Sequence, residues 1–377
     1  MSNSFRSGRD NENIADYRER SGAYMNVYNI KQFVVFTAKF AGGTAKSAKL
    51  NFIFSACSAF LCLHSLSAAG DAPLAGTEIV HLVDGALMVY VPEGTFTMGL
   101  NQEECAVIAK QLGYDDSEKL WMWECLPKRK EYVKGFFIDK YEVAIERWLK
   151  FVKASPDFKL KLDEISGYYS EPRAQAMPVA SIAWNEAQQY ANWAGKQLPT
   201  EKQWEKAARG TDGRFYPWGS TFNPEFGQFS PDGKGGWDNK KIYTRVGKFP
   251  AGASPYGVMD MIGNQYEWTS EWVEPYPNNP RREKMFPYTA HQNACLRGGS
   301  WYHGKASLYA AKRFGLPPGT TYYHIGFRTV WEPPEGYFDS PEFKEAVKQV
   351  EACRKKMTEQ FKIYDDAENE TVPGMKY

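Results

Sequence analysis

The sequence carries almost no surplus charge of either sign. Across 377 residues, 46 Lys and Arg stand against 45 Asp and Glu, a formal charge of +1. A chain built to hold nucleic acid needs a concentrated basic face, and this balance offers none. Cysteine and histidine are scarce, at six and five. No two cysteines form a CxxC pair, so neither a zinc knuckle nor a thioredoxin-type redox pair is indicated. No histidines stand at HxH or HxxxH spacing, and no repeat of fixed period runs through the chain.

What is plentiful is large flat side chains and turn formers. Twelve Trp, 23 Tyr and 23 Phe make up 15% of the chain, beside 32 Gly and 22 Pro. That combination predicts an irregular, loop-rich core packed with rings, not a long-helix bundle or a Val/Ile-rich parallel sheet. Ordinary fractions of hydrophobic (43%) and charged (24%) residues exclude wholesale disorder.

Residues 1–49 form a leader with no sustained periodicity, either outside the native chain or a cytoplasmic tail. Lys46 and Lys49 then precede an uncharged run, LNFIFSACSAFLCLHSLSAA (50–69), which ends in small residues. The order of positive flank, apolar stretch and small-residue exit predicts an export signal cleaved after Ala69. An uncleaved membrane anchor is the alternative, because a helix of this length spans about 30 Å. A buried core helix is a third reading, against which the run has no polar face. Export places the mature chain outside the cytoplasm, periplasmic or secreted, with membrane contact only if the segment stays as an anchor. Cys57 and Cys62 leave with a cleaved signal; Cys105, Cys125, Cys295 and Cys353 remain. Four cysteines in an exported protein permit two disulfides, Cys105–Cys125 and Cys295–Cys353, and buried free thiols are the alternative.

Continuous structure is predicted from about Asp84. LMVYVPEGTFTMG reads as strand, turn at Glu93-Gly94, strand; FFIDKYEV (136–143) as a strand running into a helix at 145–155. Ala187, Tyr190, Ala191 and Ala194 mark the apolar face of a second helix. Thr200 and Gln203 form a capping-box pattern for a third, with Trp204, Ala207 and Ala208 on its buried face. Residues 210–260 read largely as loop. After a Glu-Pro-Pro-Glu-Gly linker, Ser340-Pro341 starts a last helix over 340–364, expected to pack back onto the domain, with a flexible acidic tail at 365–377.

Several segments in order carry a family pattern: MPVASIAWNEAQQYANWAGKQLPTEKQWEKAARG (177–210), FYPWGS (215–220), YGVMDMIGNQYEWTSEW (256–272), LRGGSW (296–301) and HIGFR (324–328). The chain from Asp84 to Trp331 resembles the formylglycine-generating enzyme family, whose unit is the sulfatase-modifying factor domain. The resemblance implies an irregular, loop-rich α+β fold related to C-type lectins. Active members carry two cysteines five residues apart after Gly-Gly-Ser. Those thiolates bind copper and use oxygen to convert a sulfatase cysteine to formylglycine, soft sulfur being what selects Cu(I). Here the two positions hold His303 and Leu308, and the polar position two before Gly-Phe-Arg holds His324. Formylglycine generation by that mechanism is therefore expected to be lost.

The pocket frame that the resemblance leaves comprises Arg297, Ser300, Trp301, Tyr302, Arg313 and Arg328. His303, His324, Arg313 and Ser300 are the catalytic candidates. His291, His303 and His324, with Cys295 or Tyr302, are the raw material for a substitute copper or iron site. A calcium site of the family carries over onto Asp260, Gly263, Gln265 and Glu267, hard oxygen donors suited to Ca²⁺. A second one would fall around 228–241, where residues cannot be matched. Three functions follow: a non-catalytic module binding a peptide, protein or small molecule; a metal- and oxygen-dependent oxidoreductase built on histidines; or formylglycine generation through Cys295, the least favoured.

Overall fold

The computed structural model describes residues 72–116, 122–156, 158, 171–230, 243–285 and 291–369. The leader, the apolar run 50–69, most of the second calcium loop and residues 370–377 lie outside them.

Among the described residues the architecture is α+β with three small sheets. The first sheet has the order β1 (Glu78–Val80), β2 (Leu87–Val91), β5 (Phe136–Asp139), β10 (Val330–Trp331), all antiparallel. β3 (Gly94–Met98) and β4 (Arg129–Val133) form a separate ribbon. The third sheet has the order β8 (Arg313–Leu316), β7 (Ala294–Arg297), β6 (Tyr266–Trp272), β9 (Ile325–Gly326), with β6 and β9 parallel. The strands on either side of Glu93-Gly94 are present but do not pair with each other. All five residues of β2 are buried, which suits a strand enclosed between β1 and β5, and Gly94 at φ +132° turns the chain away to the ribbon.

Strand β5 ends at Asp139, four residues short of the expected Val143. There the side chain turns inward: Asp139 takes Lys196 Nζ at 3.0 Å, Arg147 Nη1 at 3.1 Å and the Thr329 hydroxyl at 2.8 Å. Helix α1 (Gln102–Gln111), which the apolar pattern did not reveal, is started by a reciprocal Asn101–Glu104 capping box. Helix α2 (Ile145–Ala154) buries Trp148, whose ring stacks on Tyr190 of α3 (Trp184–Trp193) at 5.9 Å and 17°. Ala187, Tyr190, Ala191 and Ala194 are buried as their spacing requires. Helix α4 (Glu201–Arg209) begins at the Thr200–Gln203 capping box, with Trp204, Ala207 and Ala208 fully buried. All its polar residues except Lys202 are buried too, so α4 is enclosed on nearly every side.

Cys105, Cys125, Cys295 and Cys353 are all free thiols, so neither permitted disulfide is formed. Cys105 and Cys125 behave as small apolar residues in one core cluster with Tyr216 and Tyr309. Cys295 lies in β7 against Val273, while Cys353 lies in the last helix and packs beside Val80 and Leu87.

The C-terminal segment divides at Gln349 into α5 (Pro341–Lys348), capped by Ser340, and α6 (Val350–Asn369). Helix α6 takes in the first five residues, 365–369, of the expected acidic tail. Asp365 accepts both arms of Arg245 at 2.8 Å, Glu368 pairs with Lys248, and Phe361 meets Tyr141 at 5.9 Å. Charge fixes what composition alone marked as frayed.

Because the Thr200 cap satisfies the first turn of a largely buried helix, Thr200→Ala is expected to cost about 1 kcal/mol. Chemical denaturation checks this; an unchanged midpoint would mean that the packing of α4 makes its cap redundant.

Candidate functional site

The site region is built on three buried ion pairs. Arg313 holds Glu201 with two parallel bonds of 2.6 Å. Arg297 pairs with Glu205, which also accepts Arg209 Nη1 at 2.6 Å and the Gly99 amide at 2.8 Å. Burial opposes charge on both glutamates, but the Arg313 and Arg297 guanidiniums outweigh it and keep their carboxyls below the usual range. Arg328 grips Glu267 at 2.7 and 2.6 Å, and the Trp204 indole donates to the same carboxylate at 2.7 Å. The remaining donors of Arg328 reach the carbonyls of Asp139 (3.0 Å) and Met259 (2.9 Å). Arg297, Arg313 and Arg328 are thus fully buried beneath the site, each committed to a carboxylate. They position the loops, and none is free to touch a ligand.

The four positions of the family calcium site lie close together, so their fit can be tested. Gly263, at φ +85°, sits where a Cβ would come within 2.4 Å of the Gln228 carbonyl. Asp260 accepts the Gly247 amide at 2.6 Å through Oδ2. Glu267, however, already accepts two guanidinium bonds and an indole bond. A further acid, unmarked by any motif, joins the group: Glu142 accepts Asn264 Nδ2 at 2.6 Å and the Gln265 amide at 3.0 Å. Burial, with Asp260 and Glu267 nearby, pushes the Glu142 carboxyl well above its ordinary range. Burial raises Asp260 to about 6. As these side chains stand, the donor set does not fit a calcium ion. Arg328 occupies the role a cation would fill, and calcium would have to displace it from Glu267.

The turn after β7 shapes the rest. Gly298 (φ +92°) and Gly299 (φ +71°) fold the chain back so closely that a Cβ on Gly299 would lie 2.7 Å from the Ser307 carbonyl. This brings Leu308 to 0% exposure in the cluster containing Trp204, Phe229 and Met261. The position of the family's second thiolate is therefore apolar core. At the first, the His303 ring bonds through Nδ1 to the Ser300 hydroxyl at 2.7 Å. Burial, then the neighbouring His324 and Lys312, hold it well below the ordinary imidazole range. Burial lowers His324 to about 4. Both imidazoles are neutral at physiological pH, with ring centroids 5.0 Å apart.

Of the proposed histidine cluster, the structure joins two members and separates the third. His291 is exposed against Trp272 and Glu274. Cys295 does not join either; burial raises its thiol well above the ordinary range and it packs on Val273. Among the described residues, no group of three or more His, Cys, Asp or Glu is arranged to hold a metal ion. Tyr302 stacks on His324 at 5.0 Å and 11°, and Trp301 meets Tyr302 edge-on at 5.7 Å. Sequence reasoning missed Glu142, the partners of the three arginines, and Tyr266 and Tyr322, which extend the ring cluster. The charge-bearing face of α4 in LPTEKQWEKAAR was the one available signal.

Three small sheets, an enclosed capped helix and a Gly-Gly turn over paired arginines define a sulfatase-modifying-factor architecture. Residues 78–333 match the model of the sulfatase-modifying factor enzyme 1-like domain, and the chain belongs to this family. "Inactive C-alpha-formylglycine-generating enzyme 2" of Mus musculus is 35% identical over 300 residues, covering 67% of this chain and 87% of the relative. "Formylglycine-generating enzyme" of the same organism is 27% identical over 310 residues, covering 69% and 76%. YfmG of Bacillus subtilis is 28% identical over 276 residues, and the chain spans about half of its length, 54%. The solved structure of PvdO from Pseudomonas aeruginosa superposes with a TM-score of 0.52 at 22% identity, over 70% of this chain and all of that one, a likeness of fold.

Two outcomes follow from the buried charges. Arg328→Met is expected to destabilise by about 3–5 kcal/mol by stranding the Glu267 carboxylate, and Arg328→Met with Glu267→Met should recover part of that loss. The folded pKa of Asp260, about 6, lies above the ordinary value of 3.8, so its contribution is favourable when protonated and declines as pH rises from about 4 to 6. Asp260→Asn, which tolerates the left-handed φ of 58° there, should gain stability over the native chain progressively through that window. Calcium at millimolar concentration should leave the melting temperature of both proteins unchanged; a rise of several degrees in the native chain would show that Arg328 yields Glu267.

Proposed function

We propose that this protein is a member of the sulfatase-modifying factor family that binds a ligand or partner outside the cytoplasm and does not generate formylglycine. The observation that carries this reading is Leu308, buried to 0% where a second copper-binding thiolate belongs. No rotamer of leucine supplies a ligand, and His303 opposite is already hydrogen-bonded to Ser300. Soft sulfur selects Cu(I), and among the described residues the core cluster around Leu308 contains no cysteine. The relative named as inactive is consistent with a family in which binding outlives chemistry, and the apolar run 50–69 supports export.

A second reading rests on the neutral pair His303 and His324. Two imidazoles 5.0 Å apart by centroid would supply nitrogen ligands to copper or iron in a divergent oxidoreductase. Two ligands fall short of a closed site, which is why binding is preferred.

Incubation with a peptide carrying Cys-x-Pro-x-Arg, in the presence of copper and oxygen, is expected to yield no aldehyde by mass spectrometry. Aldehyde formation by the native chain would overturn the proposal. Stoichiometric copper or iron in the purified protein, lost in His303→Ala and His324→Ala, would instead establish the second reading.

A further inference from the structure

The rings around His324 form a continuous ladder from surface to core. Tyr322, 51% exposed, stacks on His324 at 5.4 Å and 21°, and His324 stacks on Tyr302 at 5.0 Å and 11°. His303 meets both His324 (5.0 Å) and Tyr302 (5.4 Å) edge-on at 75°. It then meets Tyr266 edge-on at 4.9 Å, and Tyr266 stacks on Phe314 at 5.6 Å and 24°. Each inner ring is fixed by the next, so the outermost tyrosine is presented on a rigid base. Tyr323, beside it, is 56% exposed.

The surroundings restrict what this face can hold. From Phe314 to Phe327 there is no Asp, Glu, Lys or Arg, and none from Gly298 to Gly304. Both histidines are held neutral by burial. Acidic, basic or phosphorylated ligands find no counter-charge in these segments. A purely apolar partner is also disfavoured, because covering the exposed Tyr322 would strip water from its phenol hydroxyl without replacing the bonds. The match is a neutral ligand with one flat C–H face and a rim of hydroxyls. Rigid, exposed tyrosines supply large contact area at low entropic cost, and Thr320 and Thr321 add hydroxyls in the same loop.

We propose that the Tyr322–His324–Tyr302 stack is a platform for a neutral sugar ring, so that the ligand of this protein is an uncharged glycan. This rests on the binding function proposed above and names the ligand class of that site. The pyranose C–H face lies on Tyr322, and the hydroxyl rim exchanges bonds with the neighbouring phenols and threonines.

The test titrates the full chain with neutral β-1,4-gluco-oligosaccharides, N-acetylated chitooligosaccharides and manno-oligosaccharides by isothermal calorimetry. At least one series is expected to bind. Tyr322→Ala should weaken it tenfold or more, Tyr322→Phe should stay within about threefold because the ring is kept, and binding should be unchanged from 0.05 to 0.5 M NaCl. Failure of all three series, equal affinity in Tyr322→Ala, steep loss with salt, or capture of a proline-rich peptide at the same face would each overturn the glycan assignment. The aldehyde assay reports separately on the functional reading: no sugar binding with no aldehyde sinks only the glycan, whereas aldehyde sinks the binding module itself.

Discussion

Glu267 is the joint on which the site region depends. Its carboxylate takes two bonds from Arg328 and one from Trp204, so a single side chain ties β6 to α4 and to the segment between β9 and β10. All three residues are fully buried. An isolated carboxylate at such depth is costly, and its presence is tolerable only because every strong donor around it is aimed at it. Arg328 passes the constraint on to the carbonyls of Asp139 and Met259, which ties the end of β5 to the irregular segment around Met259.

The same logic recurs through the molecule and explains how so little regular structure holds a fixed shape. Glu201–Arg313, Glu205–Arg297 and the group formed by Asp84, Asp139, Lys196 and Arg147 each join elements distant in sequence. Ring packing fills the space between, as Tyr276 does where the Arg129 and Arg313 guanidiniums lie 3.6 and 4.0 Å from its centroid. Such pairs add little net stability against an apolar equivalent, but each is directional. They select one loop arrangement among many that would bury similar area.

Local signals in the sequence proved readable where local physics decides. The Thr200–Gln203 cap and the alanine face of α3 needed only neighbours three and four residues away. Asn101 and Glu104 carried the same capping signature, yet α1 has a weakly apolar face and escaped a search by periodicity. The Trp-Gly and Gly-Gly-Ser motifs identified the family, and they marked His303, Leu308 and His324 as the positions where its chemistry departs. What could not be read was partnership. Arg297, Arg313 and Arg328 looked like pocket residues because their carboxylates are 92, 112 and 61 residues away in the chain. Glu142 was invisible for the same reason, being an ordinary residue in a strand-like stretch until the fold sets it against Asn264.

Arg245 stands between two acids of opposite situation. Outward, it is chelated by Asp365 of α6; inward, its charge works against the burial that raises Asp260. The stretch between them is short, since Gly247 donates to Asp260 while Lys248 reaches Glu368. The last turns of α6 therefore do more than cover a surface. A helix outside the matched domain thereby holds in place one of the charges that face the buried Asp260 carboxyl.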